Sequence, residues 1–147
     1  MRTEQIRSAF SHHWPAIERL LNAAQLPLAG ARDHLRGFVV AERDGAVAAC
    51  AALEHYGRTA LLRSVAVDAA HRGTGLGARL VRQLIANARN EAIDSLFLLT
   101  TTAADWFVRF GFVRILRESV PEALHQSAEL QGACPSTAIV MTLRLRP

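Results

Sequence analysis

Ser64-Val65-Ala66-Val67-Asp68-Ala69-Ala70-His71-Arg72-Gly73-Thr74-Gly75-Leu76-Gly77 is the stretch that decides the fold. A strand runs into a glycine-rich turn, and the turn opens a helix. Leu76, Leu80, Val81, Leu84, Ile85 and Ala88 then recur at helical spacing, with Arg79, Arg82, Gln83 and Arg89 largely on the opposite side. Glycines let successive backbone N–H groups point one way and let a ligand approach closely. The helix N-terminus adds partial positive charge, and Arg72 stands beside it. The segment therefore reads as a phosphate or pyrophosphate cradle. Gly73-Thr74-Gly75-Leu76-Gly77-Ala78 also fits the dinucleotide pattern G-x-G-x-x-A, with Asp94 ~20 residues on. The context fails, because that acid should end a strand and Asp94 precedes one.

Outward from the loop, the chain orders itself as α/β with a mixed sheet. Before it, Gly37 to Glu42, Val47 to Glu54 and Ala60 to Val67 read as an antiparallel meander, turned at Arg43-Asp44-Gly45-Ala46 and Tyr56-Gly57-Arg58-Thr59. Gln5 to Phe10 alternates as a first strand. A helix carries Trp14, Ile17, Leu20, Leu21 and Ala24 on one face, with Pro15 in its first turn and Pro27 just beyond its end. A short helix is expected at Asp33 to Arg36. After the loop helix, Leu96 to Thr100 is apolar on both faces, as in a buried parallel strand, so strand, helix and strand form a right-handed crossover. A short helix at Ala103 to Arg109, a strand at Phe112 to Leu116, a helix at Val120 to Leu130 and a strand at Ala138 to Leu145 complete the prediction.

Composition narrows the chemistry. The 147 residues suit one domain over 1–147, and half of them are apolar. All 17 basic residues are arginine. With no lysine there is no Schiff base and no P-loop. A net charge of +4 favours an anionic partner. The arginines are scattered without a basic stripe, which speaks against nucleic acid. No apolar run reaches the ~20 residues of a membrane span, and the N-terminus lacks a signal-peptide layout. Cys50 and Cys134 form no disulfide framework, so the expected setting is the cytoplasm. The six histidines make no metal constellation, and no metal is expected. His12-His13 suits capping or exposure.

Arg72-Gly73-Thr74-Gly75-Leu76-Gly77 resembles the R/Q-x-x-G-x-G/A acetyl-coenzyme A loop of the GNAT-type N-acetyltransferases. Ala103-Ala104-Asp105-Trp106-Phe107-Val108-Arg109-Phe110-Gly111-Phe112 is similar to their second hallmark, a short helix ending in a Gly-Phe pair. The likeness runs from the Trp14 helix to the last strand. A narrower resemblance joins Ala60 to Val67, Leu99-Thr100-Thr101-Thr102-Ala103 and Cys134-Pro135-Ser136-Thr137-Ala138 to an arsenic-resistance-associated subgroup.

The resemblance implies acetyl transfer from acetyl-CoA to the primary amine of a small molecule, an amino acid or amino-acid-like toxin, with a homodimer possible. Val65, Ala66 and Val67 would line the pantetheine arm and face the acetyl oxygen. Arg72, Gly73, Thr74, Gly75, Leu76 and Gly77 would hold the pyrophosphate. Thr100 stands where many relatives place an asparagine. Phe107 stands where the family often has a tyrosine acid, so no general acid is assigned.

Two further residues are candidates from their positions. Glu54, at a strand end, is read as the general base, against an ordinary solvent-facing glutamate; Glu42 is second choice. Arg63, a charge in an apolar strand, is read as a clamp for a substrate carboxylate or phosphinate, against an internal ion pair with a glutamate, Glu54 included. Cys50 reads as a core residue, and Cys134 as either a substrate-side or a buried thiol. The rival to catalysis is an acetyl-CoA sensor without turnover.

Overall fold

The computed structural model describes residues 4–146. Seven strands form one sheet: β1 (Glu4–Ser8), β2 (Phe38–Arg43), β3 (Ala46–Tyr56), β4 (Thr59–Val67), β5 (Ser95–Thr100), β6 (Val113–Ile115) and β7 (Ile139–Arg144). Their spatial order is β1-β2-β3-β4-β5-β7-β6, and only β4 and β5 are parallel neighbours. Three α-helices accompany them: α1 (Trp14–Ala23), α2 (Leu76–Asn90) and α3 (Ala104–Val108). The α/β mixed sheet, the meander and the crossover all stand as the sequence predicts. No helix among the described residues is long and apolar enough to cross a membrane.

Strand alternation distributes the core between two faces. Val39, Ala41, Ala49, Ala51 and Leu62 meet Leu80, Val81 and Leu84 of α2. Phe38, Val40, Cys50, Ala52 and Ala66 meet Trp14, Ile17 and Leu21 of α1. β3 is alanine-rich where helices press on both its faces, because small side chains let both layers approach. Gly37 shows how close that approach becomes: a Cβ there would lie 1.9 Å from the Leu53 carbonyl oxygen. Gly37→Ala should therefore cost about 3 kcal/mol or more, the upper range for overpacking, in a denaturant titration.

β4 carries the irregularity that matters for the site. Cys50 pairs with Ala66 and Ala52 with Arg63, so β4 holds one extra residue, and Ser64 sits at φ +61°. The bulge reverses which face each parity uses: Leu62 packs with α2, whereas Ala66 packs with α1.

The expected helix at Val120 to Leu130 is replaced by a 3₁₀ turn over Glu122–Gln126 and a π-type turn over Glu129–Ala133. Leu124 and Ser127 donate their N–H groups three residues back, to Pro121 and Leu124. The Ser127 hydroxyl then captures the Glu129 N–H at 3.2 Å, and Gly132 turns at φ +116°. Val120 and Leu124 still bury themselves against Leu61, Phe97 and Val140.

Candidate active site

β4 and β5 pair only at Thr59↔Ser95, Ala60↔Leu96 and Leu61↔Phe97. Beyond Leu61 the two strands no longer pair, and β4 bulges at Ser64. The gap opens into a cleft of about 1230 Å³. Val65, Ala66 and Val67 line one wall, Leu98 to Ala103 the other, with Gly73 and Gly75 to Ala78 at one end and Arg63, Glu129 and Cys134 at the other.

At the glycine end, Gly73 and Gly75 adopt φ +80° and +81°, and a Cβ on either would meet nothing within 4 Å. Gly75 caps α2 without any side-chain acceptor, so the first N–H groups of the helix look into the cleft without a protein side chain to receive them. Gly77 is glycine for a different reason, since a Cβ there would approach Val67 Cγ2 at 3.2 Å. Arg72 is exposed beside the loop, with Nε 3.4 Å from the Val67 carbonyl. Such an uncapped helix start beside an arginine has the geometry and charge that favour an anion. The Thr74 side chain is not on the cleft wall: its hydroxyl donates to the His71 carbonyl at 2.6 Å and braces the loop. Thr100 does line the cleft, and its hydroxyl accepts the Ala103 N–H at 2.9 Å. Phe107 lies on the wall among Trp106 and Phe112 and has no proton to donate.

The opposite end holds a buried charge cluster. Arg63, 3% exposed, donates from Nη1 to Glu54 Oε2 at 2.7 Å and to the Ala29 carbonyl at 2.9 Å. Its Nη2 donates to the Pro27 carbonyl at 3.0 Å and its Nε to Ser64 Oγ at 3.0 Å, with Glu129 Oε2 3.4 Å from Nε. The guanidinium is thus occupied by internal partners, and the expected substrate clamp gives way to the ion pair. Glu54 takes neither the cleft-facing place expected of a general base nor that of an ordinary solvent-facing glutamate. It is fully buried, is not on the cleft wall, and accepts the Tyr56 hydroxyl at 2.6 Å. Burial alone would raise its pKa, yet the Arg63 and Tyr56 hydrogen bonds hold it below the usual carboxylate value. That is a poor setting for a base. Glu42, the second choice, lies within ion-pair range of Arg7 and His13 and does not line the cleft. His13 caps its own 3₁₀ turn by accepting the Phe10 N–H at 2.8 Å.

Glu129 is the acid that the sequence leaves unmarked. It is 3% exposed yet reaches the cleft, and burial lifts its carboxyl to about 7, with Arg63 opposing and Glu54 reinforcing that rise. Only the break at Ser127 and the π-type turn place it there, and no motif announces them. Cys134 lies beside it on the cleft wall, its thiol pushed up to about 12 by burial and by the Glu129 carboxylate. Cys50 is buried away from the cleft and donates to the Ser64 carbonyl at 3.4 Å.

Residues 34–114 match the model of the acetyltransferase (GNAT) domain. The chain belongs to the GNAT family. An amino-acid acetyltransferase of Actinobacillus pleuropneumoniae is 31% identical over 129 residues, which cover 82% of this GNAT chain and 30% of that protein. N-acetylglutamate synthase from Neisseria gonorrhoeae, solved with coenzyme A and N-acetyl-glutamate, superposes with a TM-score of 0.84 at 27% identity, over 99% of this chain and 36% of that one. A Mycobacterium tuberculosis protein solved with coenzyme A gives 0.78 at 26% identity, over 95% and 98% of the two chains. The GNAT chain therefore spans about a third of the length of the first two relatives and nearly all of the third.

Proposed function

We propose that this GNAT protein, acting as one domain over residues 1–147, moves the acetyl group of acetyl-CoA to the amine of a small amino acid or amino-acid-like molecule. The observation that carries this reading is the parting of β4 from β5 beyond Leu61, with an anion site at one end and buried carboxylates at the other. An extended pantetheine chain fits the gap. Its pyrophosphate would rest on the N–H groups from Gly73 to Gly77. Backbone N–H groups of Val65 to Val67 would receive the thioester oxygen as it gains charge, a contribution typically of ~3–4 kcal/mol. The leaving thiol, with a pKa near ~8.5, departs without a dedicated acid, which accommodates Phe107. The amino-acid class is supported by the Actinobacillus and Neisseria relatives, and toxins such as phosphinate or arsinate analogues of glutamate belong to the same proposal through the arsenic-resistance resemblance. Two free, buried cysteines accord with a cytoplasmic setting.

Phe107 favours one second reading, a sensor that binds acetyl-CoA without turnover. Thiol release from acetyl-CoA across a panel of amino acids, their phosphinate analogues, arylamines and polyamines separates the two. Saturable release with one class of amino acid is the expected result. Tight binding with no release for any amine would establish the sensor.

A further inference from the structure

We propose that Glu129 receives the proton that the acceptor amine must lose, and that its carboxylate is the docking point for the ammonium group. This rests on the transferase reading above. Two carboxylates, Glu54 and Glu129, share the one Arg63 guanidinium at 2.7 and 3.4 Å. With both ionised, the buried cluster carries an excess negative charge, and only Glu129 of the two faces the cleft. An arriving ammonium supplies the missing positive charge at the one open position. The division of labour follows from the same contacts: Arg63 and Tyr56 fix Glu54 as a permanent anion, whereas burial holds Glu129 near neutrality, where a carboxylate can both take and release a proton.

The other titratable groups around Glu129 do not compete for the role. Arg63 faces it from β4, and Glu54 pairs with Arg63 from β3. The Cys134 thiol is its neighbour on the following loop and is too weak an acid to be ionised. Farther out, Tyr56 and His34 surround Glu54, and Arg117 bears on Cys134. The step balances without another reactant. One N–H proton passes to Glu129, the freed lone pair forms the C–N bond at the thioester carbon, and the C–S bond breaks with its electrons on sulfur. A second proton from nitrogen neutralises the thiolate, and Glu129 later returns its proton to solvent.

The test compares wild type, Glu129→Gln and Glu129→Asp with the best amine found, reading kcat/KM against pH. In wild type, kcat/KM should rise tenfold per pH unit and level off near pH 7. In Glu129→Gln it should fall at least about 100-fold at pH 7, lose that break, and climb steadily toward the pKa of the amine itself. Glu129→Asp should keep the break at a reduced rate. Acetyl-CoA affinity should stay within twofold, and the thermal midpoint at pH 8 should not drop, since Arg63 keeps Glu54. A glutamine variant within threefold of wild type with the break intact overturns the proposal. So does a rate loss matched by lost acetyl-CoA affinity or a lower midpoint. Wild type that binds acetyl-CoA and releases no thiol overturns the transferase reading, and the proton acceptor with it.

Discussion

Arg63→Met should lose about 3–5 kcal/mol of stability at pH 8, the typical result of removing one partner from a buried ion pair. For a chain of this size that is a fall of roughly 6–20 °C in Tm. The guanidinium is buried under two carboxylates, two backbone carbonyls and the Ser64 hydroxyl, so methionine removes a donor or a counter-charge from each of them. The sign with pH follows from Glu54. Its folded pKa lies below the usual carboxylate value, so the stability it contributes is present above about 4.5 and is lost as pH falls through the lowered folded value. Without Arg63 both acids rise, and the variant's deficit should shrink as pH falls toward 5 and the carboxyls become neutral. Thermal melts of both proteins at pH 5 and pH 8 check this. A variant that melts like wild type and raises KM only for acidic substrates would instead restore the clamp.

Gly75→Glu should weaken coenzyme A binding by at least about 100-fold, or ~2.7 kcal/mol. Gly75 is the N-cap of α2 at φ +81°, and space beyond its missing Cβ is open. A glutamate there brings a carboxylate to the N–H groups proposed to hold the pyrophosphate, so it would repel the ligand and occupy its donors at once. The backbone strain of a left-handed residue is a separate effect, and Gly45 controls for it. Gly45 has φ +85° in the β2–β3 turn, again with nothing near a Cβ. Gly45→Glu should carry the same strain and leave coenzyme A affinity unchanged by titration calorimetry. Equal losses in the two variants would remove the pyrophosphate from this loop.

The sheet, the crossover and the glycine loop are legible in the sequence because each depends on local pattern: period-two runs, a helical apolar face, glycines before it. The charge cluster is legible only in part. Arg63 announces itself as a charge in an apolar strand, but its direction depends on the extra residue at Ser64, which no alternation reveals. Glu54, in register with Leu61 and bonded to Arg63 and Tyr56, is buried in β3 instead of reaching the cleft. Glu129 is hidden more thoroughly. Val120 to Leu130 has helical spacing and helical propensity, and a helix there would be the ordinary outcome. Pro121 sets off 3₁₀ bonding, Ser127 captures a backbone N–H, and Gly132 reverses the chain, so tertiary packing on Leu61 and Phe97 outweighs propensity. The Thr74 hydroxyl bonds within its own loop, so the side chain braces the turn and only its backbone N–H is left for a ligand.

Amide hydrogen exchange with and without saturating coenzyme A tests the placement of the cofactor most directly. Protection should appear in two separate segments, Val65–Val67 on the parted edge of β4 and Leu76–Ala78 at the start of α2, with little change along β1 and β2. Binding confirmed by calorimetry but with neither segment slowed would contradict the account.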